Sequence, residues 1–190
     1  MSICRVFPGR ADASSLVRDK IHYLADTSKN IWQGISFVGL PGRLKGYMLP
    51  DDPDDLDGIY HSFMAAHWAY GDVRGGHRLF YHVFLDFGGL LAPEQAVELG
   101  WQAAMWFRQF HVQYIQGLHC VRLDPEDNNE PVFWPHVHWL VSTRMLDGSG
   151  TKLHIGKAEV RALKIFANET VLIPNGLPPI EMRENRTYEK

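Results

Sequence analysis

Cysteine is nearly missing from this sequence: Cys4 and Cys120 are the only two in 190 residues, far apart and in no CxxC spacing. That excludes a disulfide framework and leads to the expectation of reduced thiols in a cytoplasmic protein. No apolar run approaches the length that spans a bilayer, and the opening MSICRVFPGRADASS lacks a signal-peptide core, so no membrane segment is expected. Internal repeats and low-complexity tracts are missing as well. So is an excess of positive charge: 19 Lys+Arg stand against 22 Asp+Glu, a net charge of −3. Taken whole, that balance argues against a polyanion-binding protein.

The average conceals a pattern. Asp51 to Asp57 (DDPDDLD) holds five acids and Asp124 to Glu130 (DPEDNNE) four; without these nine the −3 becomes +6. A mildly basic body with two acidic surface loops is the expectation. The hydrophobic fraction of 45% and aromatic fraction of 12% give enough apolar mass for a folded core. One domain over residues 1–180 is predicted, with residues 181–190 as a flexible tail.

Periodicity predicts the elements. Leu16, Val17, Ile21 and Leu24 recur at helical spacing after Ser14 and Ser15, with Tyr23 two turns from Leu16 on the same side. Ile35 to Leu40 reads as a short strand, and Gly58 to Tyr70 as helical. Leu79 to Phe87 alternates strictly: Leu79, Tyr81, Val83, Leu85 and Phe87 on one face, Phe80, His82, Phe84 and Asp86 on the other. Pro93 opens a helix to about Phe110. Strands over 114–121 and 136–143, and a helix from Lys157 to Thr170, complete the pattern. The fold class expected is α+β, an antiparallel sheet with helices on one face and a ferredoxin-like split βαβ core.

Ten histidines are many for this length, and three of them are arranged. His136 and His138 lie at i and i+2 on a strand, so both imidazoles face one side. An adjacent strand carries His119. If the two strands pair, three neutral imidazoles converge on one cation and leave positions open to water or substrate. The bland alternative is a packed sheet face, with Trp134, Pro135 and Trp139 around the pair.

HVHWLVS followed by LDGSGTKLHIGKAEV resembles the third motif of plasmid relaxases of the MobP type, members of the HUH endonuclease class. LFYHVFLDFGGLLAPEQAVELG is similar to that family's strand-then-helix segment, and LVRDKIHYLADTSKN to its first motif, where a tyrosine precedes a short turn ending in lysine. The likeness covers about residues 14 to 180. It implies that Tyr23 is the nucleophile and His119, His136 and His138 are the metal ligands. The metal implied is Mg²⁺ or Mn²⁺, with Zn²⁺ as the alternative.

It implies further a site- and strand-specific DNA nicking and strand-transfer enzyme that mobilises a plasmid or mobile element. The substrate would be single-stranded DNA at an origin of transfer, with accessory relaxosome and coupling proteins as partners. His82 and Asp86 are candidates for orienting a ligand or accepting the phenol proton. Lys29 and Lys152 are candidate DNA contacts, beside Lys20, Arg43, Lys45, Arg74 and Arg78; Trp32, Trp68 and Trp134 could stack bases. Two other readings stay open: a non-catalytic DNA-binding module of this fold, and a three-histidine metal hydrolase.

Overall fold

The computed structural model of the chain describes residues 2–9, 14–25, 35–40, 43–48, 53–72, 77–89, 91–124 and 130–182. The elements run β1 (Ile3–Pro8), α1 (Ser14–Leu24), β2 (Ile35–Leu40), β3 (Arg43–Met48), α2 (Pro53–Ala69), β4 (Phe80–Asp86), α3 (Pro93–Arg108), β5 (Val112–Asp124), β6 (Glu130–Met145) and α4 (Lys157–Ala167). All six strands join one sheet in the order β1-β4-β6-β5-β2-β3. Every neighbouring pair is antiparallel. The expected α+β class is the one observed. Because β4 and β5 both run antiparallel to β6, they are parallel to each other, and α3 links them with β6 inserted between: a split βαβ unit.

The expectation of helices on one face is wrong, because both faces of the central strands carry apolar residues. Tyr81, Val83, Leu85, Val137, Trp139 and Val141 point to one side, where α3 and α4 supply Ala96, Trp101, Phe107 and Leu163. Phe80, Ile115 and Leu140 point to the other, where α1 contributes Val17, Ile21 and Leu24, and α2 contributes Ile59 and Phe63. A sheet face that alternates in this way is stable only when both sides are covered. On the second face the apolar residues occupy one end, and the histidines the other.

Several boundaries also differ from the sequence reading. The helix expected from Gly58 begins at Pro53, so much of the first acidic segment is helix rather than loop. Proline at a helix start and carboxylates near the positive end of the helix dipole account for that. The second acidic segment lies outside the described residues between Asp124 and Glu130. β3 was not foreseen, and β6 begins earlier than expected, at Glu130. The stretch after Pro178, expected to be loose, is tied down at Ile180. That residue bridges to Ser2 and exchanges two hydrogen bonds with the Asn168 amide. The rest of the expected tail, from residue 183, lies outside the described residues.

Candidate metal centre

Strand register assembles the site. His119 on β5 stands directly opposite His136 on β6, and His138 stands opposite Gly117. On the other flank of β6, His138 is opposite Phe84 and His136 opposite Asp86. Directly paired residues share a face, so the three imidazoles lie together. All three are buried, and their ligand nitrogens lie within 4.8 Å of one another. They are the group with metal-ligand arrangement among the described residues.

Each ring is held by a different device. A bulge interrupts the β5–β6 ladder just beyond His119, leaving Trp134 and Pro135 opposite Cys120. Proline has no N–H for the ladder and is tolerated at such a bulge. The Trp134 carbonyl accepts a hydrogen bond from His136 Nδ1 at 2.7 Å. His119 Nε2 donates to the Tyr23 carbonyl at 3.0 Å. His138 Nδ1 and His82 Nε2 are 2.9 Å apart. A ring nitrogen that donates a proton fixes the tautomer and puts the lone pair on the other nitrogen. His119 then presents Nδ1 and His136 presents Nε2; His138 presents Nε2 in the tautomer whose Nδ1 donates to His82. The Nε2 of His138 is buried with no hydrogen-bond partner. A buried ring nitrogen without a partner is costly in a finished protein, and binding a cation through it removes that cost. The residues therefore fit a metal ion, with three imidazole nitrogens within 4.8 Å of one another.

Electrostatics favour the neutral form of His138 and His82. Burial pushes the His138 imidazole well below its ordinary value, and the neighbouring histidines and Lys20 push the same way. Burial, aided by Lys20, pushes His82 down to about 4. Neutral imidazoles are the ligating form.

Tyr23 completes the arrangement. The last turn of α1 reaches over the trio, and the Tyr23 ring meets His119 at 4.9 Å, His138 at 5.4 Å and His82 at 5.9 Å between centroids, each edge-on. Gly117 permits this approach: a Cβ there would lie 2.7 Å from the Leu24 carbonyl oxygen. Lys20, one turn earlier on α1, holds its ammonium 5.0 Å from the Tyr23 ring centroid. No protein-family model matches the chain, and no curated protein matches it. Its chemistry is therefore read from this geometry.

The other sequence candidates separate. His82 touches the trio through His138. Asp86 is buried, accepting from the Trp134 indole at 2.7 Å and from the Gly88 amide at 2.7 Å. It fixes the residue whose carbonyl fixes His136. Lys29, Trp32 and Arg74 lie outside the described residues. Arg43 and Lys45 sit on β3, at the sheet edge three strands from β6. Arg78 donates to the Tyr81 hydroxyl at 2.9 Å. Lys152 pairs with Asp72 at 2.7 Å.

That last pair belongs to a network that sequence reasoning missed. Asp72 is buried and also receives Arg144, through Nε at 3.0 Å and a terminal guanidinium nitrogen, and His67 Nδ1 at 2.9 Å. Ser142 Oγ lies 3.1 Å from His67 Nε2 and accepts from the Arg144 amide. The serine–histidine–aspartate order is that of a hydrolase triad, but His67 and Ser142 are both fully buried at 0% exposure. No substrate reaches that serine. The network instead binds the end of α2 to the segment after His138. Only its three-dimensional assembly reveals it, since His67, Asp72 and Ser142 form no local pattern in the chain.

Proposed function

We propose that this chain is a metal-dependent DNA strand transferase of the relaxase kind, which nicks one strand through a covalent tyrosyl intermediate. The observation that carries the reading is the Tyr23 ring lying edge-on against two members of a buried three-histidine set. A nucleophile beside a divalent-cation site is what phosphodiester transfer requires.

The chain's own residues have definite tasks in this reading. His119, His136 and His138 hold the cation, which when bound polarises the non-bridging oxygens of the scissile phosphate. Tyr23 Oη attacks phosphorus; the bond from phosphorus to the 3′ oxygen breaks, and that oxygen leaves as a free 3′ hydroxyl. The 5′ phosphate stays on Tyr23, so the phosphodiester energy is kept for resealing. An ordinary phenol has a pKa of about 10, so the proton must pass to a base or to water. His82 is poorly placed for that, because its Nε2 is already engaged with His138 Nδ1 at 2.9 Å. The hydrogen bond favours an orienting role. Lys20 adds positive charge beside the phenol.

The donor set bears on the metal. Three imidazoles without a carboxylate suit Mn²⁺ or Zn²⁺ better than Mg²⁺, whose preference is for oxygen. The same set favours one rival, a zinc hydrolase acting on a small substrate, which gives Tyr23 no task. Incubating the protein with Mn²⁺, Zn²⁺ or Mg²⁺ and end-labelled single-stranded oligonucleotides from its own genetic locus separates the two. Chelator-sensitive cleavage at one position, lost in Tyr23→Phe, is expected. Oligonucleotides left intact by protein that binds them and the metal would overturn the proposal.

A further inference from the structure

The trio is flanked by different elements on its two sides. On the β5 flank, α1 packs Leu24 against Gly117. On the β4 flank the row continues across the sheet: His138 is opposite Phe84, and Phe84 is opposite Arg5 on the edge strand β1. One row over, His82 is opposite Phe7. Phe84 is half-buried against the rings of His136 and His138, at 5.2 Å and 5.1 Å between centroids. Phe7 tilts against His82 at 6.0 Å and leaves 47% of its surface in solvent. Arg5 is exposed and makes no ion pair among the described residues.

An exposed phenylalanine on an edge strand is a poor choice for a sheet that must avoid pairing with other chains. Next to an arginine with no ion pair among the described residues, and continuous with the buried histidine trio, it has a use. We infer that Phe7, Phe84 and Arg5 form a substrate track that carries single-stranded DNA from the metal centre to the β1 edge, bases against the two rings and phosphate against the guanidinium. The inference rests on the proposed strand-transfer reading and assigns the path of its substrate. Two strand spacings separate β6 from β1, about 10 Å, a span that nucleotides next to the scissile phosphate can bridge. Charge supports the same occupant. Lys20 on the α1 side and Arg5 on the edge bracket the trio with positive charge. The one described carboxylate in these rows, Asp86, is turned to Trp134 and Gly88. Aromatic faces with cations between them bind single strands with little regard to sequence.

Fluorescence anisotropy with a labelled oligothymidine of about twelve nucleotides tests this directly. Phe7→Ala and Arg5→Ala should each weaken binding about tenfold at low salt. Phe7→Trp should restore it, and Mn²⁺ affinity measured by calorimetry should be unchanged. Arg161→Ala, on the far face of the molecule, serves as the control. Undiminished affinity in both variants, with wild type binding the oligonucleotide, overturns the track and leaves the strand-transfer reading standing. Wild type that binds no oligonucleotide overturns both. Weakened binding in the variants, with no cleavage by wild type, supports the track and removes the catalytic reading.

Discussion

Each imidazole of the trio depends on a neighbour that no ligand list contains. His82 Nε2 holds His138 Nδ1 at 2.9 Å, the Trp134 carbonyl sets the tautomer of His136, and the Tyr23 carbonyl that of His119. Removing such an outer partner typically lowers metal affinity by about 10–100-fold. His82→Ala should do so for Mn²⁺ or Zn²⁺ in a calorimetric titration, while the fold, followed by circular dichroism, persists. Unchanged affinity would show that His138 needs no orienting partner. At this scale much was legible in the sequence. His136 and His138 announce a shared face through the two-residue period of a strand, and His82 and Asp86 sit at even positions of a strictly alternating run. The Trp134 carbonyl was not legible, because it depends on a bulge that the proline permits but does not dictate. Arg5 was passed over for a similar reason: only register places it two strands from His138.

Elements are positioned by close contacts that carry consequences for the site. The end of α1 lies so near β5 that Gly117 has no room for a side chain; Leu24 backbone atoms stand within 3.2 Å of an added Cβ. Gly117→Ala should push the last turn of α1 outward and lift Tyr23 from the trio. A misplacement of about 1 Å at a reacting group can cost on the order of 10²-fold in rate. Single-turnover strand cleavage should fall by about that factor, metal affinity should fall too as His119 loses the Tyr23 carbonyl, and wild-type rates would refute the positional argument. Just past the end of α2, Asp72 ties α2, β6 and the stretch after β6 through His67, Arg144 and Lys152. Asp72→Asn leaves a buried guanidinium without its carboxylate and should cost about 3–5 kcal/mol in denaturant unfolding. A loss below about 1 kcal/mol would mean that water reaches the cluster. The helices themselves were mostly readable, since α1 and α3 follow their apolar periods. Their distribution over two faces was not, because the second apolar patch exists only once Phe80, Ile115 and Leu140 are brought side by side.

For the whole molecule, titration and charge give the broadest tests. Burial holds His67 below its ordinary 6.5, with Asp72 partly opposing. Burial alone would raise the Asp72 carboxyl, but hydrogen bonds from Arg144, Lys152 and His67 outweigh it and hold the group below its ordinary 3.8. Both groups bind fewer protons folded than unfolded, so stability must fall with pH. The histidine contribution is lost from about 6.5 downward and the aspartate contribution from about 4 downward. Urea midpoints measured from pH 8 to pH 4 should decline below 6.5, with His67→Gln flattening part of the slope; a midpoint that rises on acidification would contradict this. The net charge of −3 had argued against a nucleic-acid partner. It is a poor guide here, because the average says nothing of where charge lies, and Lys20 and Arg5 flank the trio while many acids crowd the start of α2. The central claim is that Tyr23 becomes joined to DNA. Wild-type protein incubated with metal and cleavable oligonucleotide, then digested and sequenced by mass spectrometry, should yield one peptide carrying a nucleotide phosphate on Tyr23 and none after chelation. Cleaved DNA with an unmodified Tyr23 peptide, or a phosphate on another residue, would contradict the account.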